Sequence, residues 1–226
     1  MLPDSSLSPS SSFTLVHSRL DMVDQLAAVQ RACFPSLASA ELITAAHYRA
    51  HIQRFAAGQW AVLDSMGQVV ACSTDFRTSA VDFAHCEHRY MDAVDNNWLG
   101  HHDPQGVWLY GADIGVLPAY RGRGLATRLY QARQALIQRL NLQGHVIGGL
   151  LRGYGACQER MSAEEYVAEV VAGRHFDPTL SVQLKQGFVV HGIIQHYVQD
   201  PECDGKAAFL VWRNPFYDPR QSRIPS

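Results

Sequence analysis

Nowhere in this chain does an apolar run approach the ~18 residues that a membrane-crossing helix requires, so no membrane partner is expected. Charge of one sign is also lacking: 19 Lys and Arg stand against 21 Asp and Glu, for a formal net charge of -2. That balance excludes the strongly basic surface that an obligate nucleic-acid or anionic-membrane partner would need. Cysteine is sparse. The five thiols, Cys33, Cys72, Cys86, Cys157 and Cys203, are odd in number and show no Cys-x-x-Cys spacing, which suits reduced thiols in a cytoplasm better than a disulfide framework. Residues 1–12 are rich in Ser and Pro without the basic and apolar regions of a secretory signal, and read as a flexible leader. No internal repeat is visible.

What is present suits one large globular domain. The 226 residues, 47% hydrophobic and 18% charged, can bury a full core. The domain is expected over 13–215, with irregular excursions at 79–106 and 152–176 and a C-terminal tail at 216–226. Phe13 to Leu20 reads as a strand, and Asp21 as the cap of a helix whose residues Met22, Leu26, Val29 and Cys33 share one face. A second helix is expected over 40–57, with Leu42, Ala46, Ile52 and Phe55 inward. Residues 60–63 and 69–72 read as a hairpin, and Val107 to Leu117 as a strand. Leu125, Leu129, Leu136 and Leu140 then mark an amphipathic helix, and His145 to Leu151 a strand parallel to the one before it. Ser162 and Glu165 form a capping box, Asp177 caps a further helix with Pro178 at its first position, and two strands at 188–198 and 207–212 close the chain.

The segment Asp113-Ile-Gly-Val-Leu-Pro-Ala-Tyr-Arg-Gly-Arg-Gly-Leu-Ala-Thr-Arg-Leu-Tyr130 carries the chemistry. A strand runs into a glycine turn and then into a helix. Gly122 and Gly124 allow a tight turn and leave backbone N–H groups uncovered. Those groups sit at a helix start, where the macrodipole places about half a positive charge. Arg121 and Arg123 add two full charges. Such a unit binds phosphate or pyrophosphate. The turn is neither a Walker loop, since no Gly-Lys-Ser/Thr follows its glycines, nor a dinucleotide fingerprint, since Gly-x-Gly-x-x-Gly spacing is absent. An ordinary basic turn capping a helix is the alternative.

Arg121-x-x-Gly124-x-Ala126, set after a strand containing Val116, resembles the acyl-CoA signature of the GNAT acyltransferase superfamily, Arg/Gln-x-x-Gly-x-Gly/Ala. Six residues with loose positions recur by chance, but the order β-α-α-β-β-β-α-β-α-β-β and the Gly187-Phe188 pair extend the resemblance over the whole domain. It implies an α/β GNAT fold with a mixed central sheet of about seven strands. Trp108-Leu-Tyr-Gly-Ala-Asp113, Leu140-Asn-Leu-Gln-Gly-His145, Asp177-Pro-Thr-Leu-Ser-Val-Gln-Leu-Lys-Gln-Gly-Phe188 and Trp212-Arg-Asn-Pro215 are similar to the acetyltransferase domain found fused to nitrilase-like carbon–nitrogen hydrolases. The hydrolase part is expected to be absent here.

By this resemblance acetyl-CoA is the donor co-substrate, and an amine of a small molecule or of a protein is the acceptor. Backbone groups of Ile114, Gly115 and Val116 pair with pantetheine. The loop of Arg121, Gly122, Arg123, Gly124, Leu125, Ala126 and Thr127 holds the pyrophosphate. An alkyl amine with a pKa of ~10.4 is protonated at neutral pH, so a base must be in reach. Asp113, three residues before Val116, is the candidate; alternatively it orients the substrate ammonium or fixes a loop. Many family members have a Tyr four residues before the Gly-Phe pair to protonate the departing thiolate. Here that position is Gln183, which can only hydrogen-bond the sulfur, and Tyr154 is a substitute acid. That departure also opens a second reading, an acyl-CoA-binding sensor or partner subunit without turnover. His85, Cys86, Glu87 and His88, and the run His101-His-Asp103, lack a matched second pair, so no metal is expected. Nothing in the sequence orients a His toward Cys157, so direct transfer is expected rather than a covalent relay. A homodimer is left open.

Overall fold

The structure is a computed structural model and describes residues 12–82 and 86–221. The elements are β1 (Thr14–His17), α1 (Val23–Cys33), α2 (Ala45–Phe55), β2 (Gln59–Leu63), β3 (Val69–Thr78), α3 (Tyr90–Ala93), β4 (Trp108–Val116), α4 (Leu125–Arg139), β5 (Gly144–Leu150), α5 (Ala163–Val171), α6 (Leu180–Lys185), β6 (Val189–Ile194) and β7 (Ala207–Arg213). Seven strands form one sheet in the order β1-β2-β3-β4-β5-β7-β6. Only β4 and β5 run parallel; every other neighbouring pair is antiparallel. The sheet is therefore mixed, with its parallel step supplied by the β4–α4–β5 crossover. Its two faces are both covered; the side chains of β2 and β3 are sorted between them, with a register shift opposite Val62 and Leu63 that puts the neighbours Val70 and Ala71 on one face. Ala61, Val69 and Cys72 pack under α1 and α2 with Leu26, Val29 and Tyr48, whereas Val62, Val70 and Ala71 pack against Leu125 and Leu129 of α4. Burying Leu26 or Leu129, each 0% exposed, stabilises the fold by roughly 1.5–3 kcal/mol relative to an exposed position.

Several local expectations are corrected. Asp21 does not cap α1: it lies in a 3-10 turn and is chelated by Arg19, and the residue before the helix, Met22, makes no side-chain cap. The second helix begins at Ala45, later than expected, because Thr44 and His47 form a reciprocal capping box there. Its buried face is Tyr48, His51 and Phe55; Leu42 precedes the helix and Ala46 is exposed. β3 runs on to Thr78, buried along its whole length, because β4 pairs with it from Ala71 to Thr78. β6 stops at Ile194, before the expected Val198. Asp177 does bond the N–H groups of Thr179 and Leu180, yet α6 starts only at Leu180, so Pro178 precedes it. The Ser162–Glu165 box caps α5 as the residues predict. The excursion at 79–106 is anchored in the core by Tyr90, Val94 and Leu99.

Candidate active site between the splayed strands

β4 and β5 are paired only where Trp108 to Gly111 face Gly144 to Ile147. Beyond Gly111, β4 stays with β3 while β5 stays with β7, and the two parallel strands part. At the same place β4 bulges. Thr74 pairs with Asp113 and Asp75 with Gly111, so Ala112 is the extra residue. The bulge decides where Asp113 points. A strict period of two would put Asp113 on the α4 face with Gly111, whose hypothetical Cβ aims at Arg133, His145 and Ile147. One inserted residue reverses the alternation. Ile114 and Val116 then pack with Leu125 and Leu129, and the Asp113 carboxylate faces α2, where it accepts the Tyr48 hydroxyl hydrogen bond at 3.1 Å.

Asp113 is 7% exposed, and burial pushes its carboxyl up to about 6. Tyr48 and the Arg133 guanidinium pull the other way without cancelling the burial. The opposing cation is Arg133. Arg133, 1% exposed, donates to Asp75 at 3.0 Å and to the backbone carbonyls of Thr74 and Asp113, fixing the bulge from the α4 side.

Two cavities meet at the split. The inner one is bounded by Asp113 and Ala112 on β4, Gly148 on β5, Gln30 and Phe34 at the end of α1, Tyr130 on α4 and Gln183 on α6. The outer groove follows the glycine loop: Ile114, Gly115, Val116, Arg121, Gly122, Gly124, Leu125, Ala126 and Thr127 all line it. Phe34, Ile114, Tyr130 and Thr179 belong to both, so the groove opens into the inner cavity. Gly122 and Gly124 have φ of +73° and +75°, left-handed values costly to a side chain. Among the described residues, no atom beyond the adjoining ones lies within 4 Å of a Cβ built at either. The first intrahelical bond of α4 runs from Arg128 N to Gly124 O. The N–H groups of Leu125, Ala126 and Thr127 therefore have no partner in the helix and lie along the groove. Such a cradle accepts an anion.

Two of the expected site residues lie elsewhere. Arg123 is not among the groove's lining residues; its guanidinium bonds Ala119 O and lies over the rings of Phe13 and Tyr120. Tyr154 borders neither cavity, since its hydroxyl donates to Met161 O at 3.3 Å and its ring packs edge-on against Tyr166. Gln183 lines the inner cavity, 3% exposed, and its Oε1 has no hydrogen-bond partner among the described residues. Sequence reasoning missed Tyr48, Gln30, Tyr130 and Arg133. A signal for Gln30 existed: it lies on the apolar face of α1, four residues after Leu26 and three before Cys33. His85 lies outside the described residues. Among those described, no three His, Cys, Asp or Glu side chains gather as a metal site, and no helix is long and apolar enough to cross a membrane.

Compared with known families, residues 24–147 match the one described as the Acetyltransferase (GNAT) family. A protein of Bacillus subtilis (strain 168) named "Probable hydrolase YhcX" is 32% identical over 202 residues, which are 89% of this chain and 38% of that protein. The chain thus spans well under half the length of that relative. A second Bacillus subtilis (strain 168) protein, "Uncharacterized N-acetyltransferase YkwB", is 30% identical over 199 residues, 86% of each chain. Among solved structures, the "GphF GNAT-like decarboxylase in complex with isobutyryl-CoA" superimposes with a TM-score of 0.74 at 22% identity, covering 89% of this chain and 99% of its own. That likeness bears on the fold alone. With the parted β4 and β5 and the glycine cradle at the head of α4, these matches establish that the chain belongs to the GNAT acetyltransferase family.

Proposed function

We propose that this chain is an acetyl-CoA-dependent N-acyltransferase that moves the acetyl group directly from the thioester to the amine of a small molecule, in the cytoplasm. One observation carries the reading: a groove suited to a pyrophosphate runs into an inner cavity lined by a carboxylate of raised pKa. Pyrophosphate oxygens accept from the N–H groups at the start of α4, with Arg121 and the Thr127 hydroxyl beside them. Pantetheine lies along Ile114, Gly115 and Val116, where β4 lacks a partner strand on the β5 side. The thioester then reaches the split, near Tyr130 and Gln183.

The amine approaches from the α1 side and must lose a proton before it attacks. Asp113 takes that proton, directly or through water. Transfer from an ammonium of pKa ~10.4 to an ordinary aspartate at ~3.9 is uphill by ~9 kcal/mol. Raising the acceptor to about 6 removes about 3 kcal/mol of that. The nitrogen–carbon bond forms, and the carbon–sulfur bond breaks with its electron pair on sulfur. The thiolate, whose conjugate acid has a pKa of ~8.5, then picks up a proton. Gln183 cannot supply one but can donate a hydrogen bond; Tyr130 and Thr179 both carry hydroxyls and line both cavities, and of the two the phenol is the acid.

Gln183 also supports a second reading, an acyl-CoA sensor or partner subunit that binds without turnover. Thiol release from acetyl-CoA, followed over a panel of amines, amino acids and peptides, decides between the two. Release with one acceptor class supports the enzyme. Tight acetyl-CoA binding by calorimetry with no release from any acceptor overturns it in favour of the sensor. Preferred acetylation of peptides would move the acceptor from small molecule to protein.

A further inference from the structure

The inner cavity contains more recognition chemistry than proton transfer needs. Its α1-side wall is made by Gln30, Phe34, Leu37, Tyr90, Tyr197 and Val198. Both tyrosine hydroxyls are engaged elsewhere: Tyr90 donates to Asn97 Oδ1 at 3.0 Å, and Tyr197 shares a hydrogen bond with Tyr110 at 2.9 Å. The tyrosines therefore offer ring surface, and the wall is apolar apart from Gln30. Gln30 is 3% exposed, and its buried Oε1 has no hydrogen-bond partner among the described residues. An unpaired buried carbonyl oxygen is costly, so a site that retains one fits a ligand that donates to it. Charge gives the second constraint. Among the described residues lining the cavity, Asp113 is the one acid and Arg133 the one cation. Arg133 is committed to Asp75 and to two backbone carbonyls. An acceptor carboxylate or phosphate would enter with no counter-charge.

We infer that the acceptor is a primary amine carried on an uncharged, apolar body, of the arylalkylamine kind, and that Gln30 selects it by accepting an amine N–H. The inference rests on the N-acyl transfer reading and narrows it. The amine nitrogen sits between Asp113, which receives one proton, and Gln30, which holds another N–H, while the apolar body lies against Phe34, Leu37 and the tyrosine rings. The nitrogen bonds to the thioester carbonyl carbon and coenzyme A leaves with the sulfur electron pair; the second proton that nitrogen sheds on becoming an amide goes to that thiolate, and Asp113 returns the first to solvent. The products are the N-acetyl amine and free coenzyme A.

Three acceptors of one shape test this: 2-phenylethylamine, L-phenylalaninamide and L-phenylalanine, assayed by thiol release with saturating acetyl-CoA. An uncompensated carboxylate should lower kcat/KM for phenylalanine about a hundredfold or more below phenylethylamine, with the neutral amide between them. Gln30→Leu should raise the KM for the amine about tenfold, the loss of one hydrogen bond, and leave the KM for acetyl-CoA unchanged. Leu37→Arg, at the half-buried rim, supplies the missing counter-charge and should bring phenylalanine to within about tenfold of the amine. Phenylalanine or a peptide used as well as phenylethylamine by the wild-type protein overturns the acceptor class while N-acyl transfer stands. An unchanged amine KM in folded Gln30→Leu overturns the role of Gln30. Acetyl-CoA bound without thiol release from any amine, amino acid or peptide removes the transfer reading, and the acceptor class with it.

Discussion

Asp113→Asn should have opposite effects on rate and on stability, and the two signs together separate a proposed catalytic base from a structural carboxylate. The side chain keeps its size, and Asn Oδ1 can still accept from Tyr48, so packing against α2 is retained. What goes is the buried charge. In the folded protein burial raises the carboxyl from 3.8 to about 6, so between those values the native state holds a proton that the unfolded chain has lost. Stability therefore falls as pH rises through this window. Above pH ~6 the cost of the ionised carboxylate is fully present, at ~3 kcal/mol for a shift of this size. Below pH ~4 both states are protonated and the cost is gone.

Asparagine does not ionise. At pH 7.5 the variant should thus be more stable than the wild type by up to ~3 kcal/mol, raising the melting temperature by roughly 5–10 °C for a domain of this size. At pH 4 the two melting curves should nearly coincide. Turnover should move the other way, with kcat lower by ~10²–10⁴-fold and coenzyme A affinity intact, because the glycine cradle is untouched. Wild-type kcat/KM for the amine should rise with pH through about 6 as Asp113 deprotonates, and the variant should lose that limb. Thermal unfolding at pH 4 and 7.5, with a pH–rate profile, reads all of this. A variant with full turnover refutes the base assignment. A variant less stable at pH 7.5 refutes the desolvation argument and makes Asp113 a structural partner of Tyr48 and Arg133.

Three further perturbations probe the surroundings. Gly124→Glu puts a carboxylate and a strained φ into the cradle; losing two charge-assisted bonds of ~1.5–3 kcal/mol each should weaken coenzyme A binding at least ~100-fold by calorimetry, and unchanged affinity in the folded variant would sink the pyrophosphate placement. Tyr130→Phe should lower kcat by up to ~30-fold, since unassisted thiolate departure forfeits ~2 kcal/mol, while Tyr154→Phe should leave kcat within about twofold; the reverse order in steady-state kinetics would restore Tyr154 as the acid. Gly111→Ala drives a methyl to 2.6 Å from Ile147 and 2.8 Å from His145, and should cost ~1–3 kcal/mol in urea unfolding; no measurable loss would mean that the split between β4 and β5 tolerates widening.

Much of this site is local and was therefore readable from residues. A turn requiring φ above +70° at two positions needs glycines, and a cradle of N–H groups needs a helix directly after them; both requirements are met within residues 122–127. The apolar spacing of α4 and the Ser162–Glu165 box are likewise short-range, and both stand as the residues predict. Misjudged ends share another cause. Asp21 was a plausible cap, but Arg19, two residues back, takes its carboxylate in a fork. β3 extends past Cys72 because a partner strand from thirty residues later pairs with it, which no period within β3 reveals.

The carboxylate at the centre depends on the least legible feature of all. By its own pattern β4 points Asp113 toward α4, beside Gly111. Ala112 changes that, and nothing in Gly-Ala-Asp marks Ala112 as unpaired. The insertion exists because Asp75 on β3 is held by Arg133 from α4 while Thr74 pairs with Asp113, so the bulge is set by residues on three elements. The same Arg133 that fixes the bulge holds the Asp113 carbonyl, and the same reversal of faces carries the Asp113 side chain to Tyr48 and the α1 wall. Arg133 thereby couples the geometry of the strand split to the position of the proposed base. Arg133→Met, which keeps the apolar stem and removes the guanidinium, should release both: without its donors the buried Asp75 carboxylate is left with His145 Nε2 at 3.4 Å, an imidazole that burial holds toward its neutral form, a loss of ~3–5 kcal/mol. Arg133→Lys retains the charge but not the fork, and should recover stability more than rate, because a single ammonium cannot hold the Asp75 carboxylate and two backbone carbonyls in one plane. Equal recovery of rate and stability in Arg133→Lys, measured by urea unfolding and kcat on the same preparation, would show that charge alone suffices and that the bulge geometry does not set the reaction.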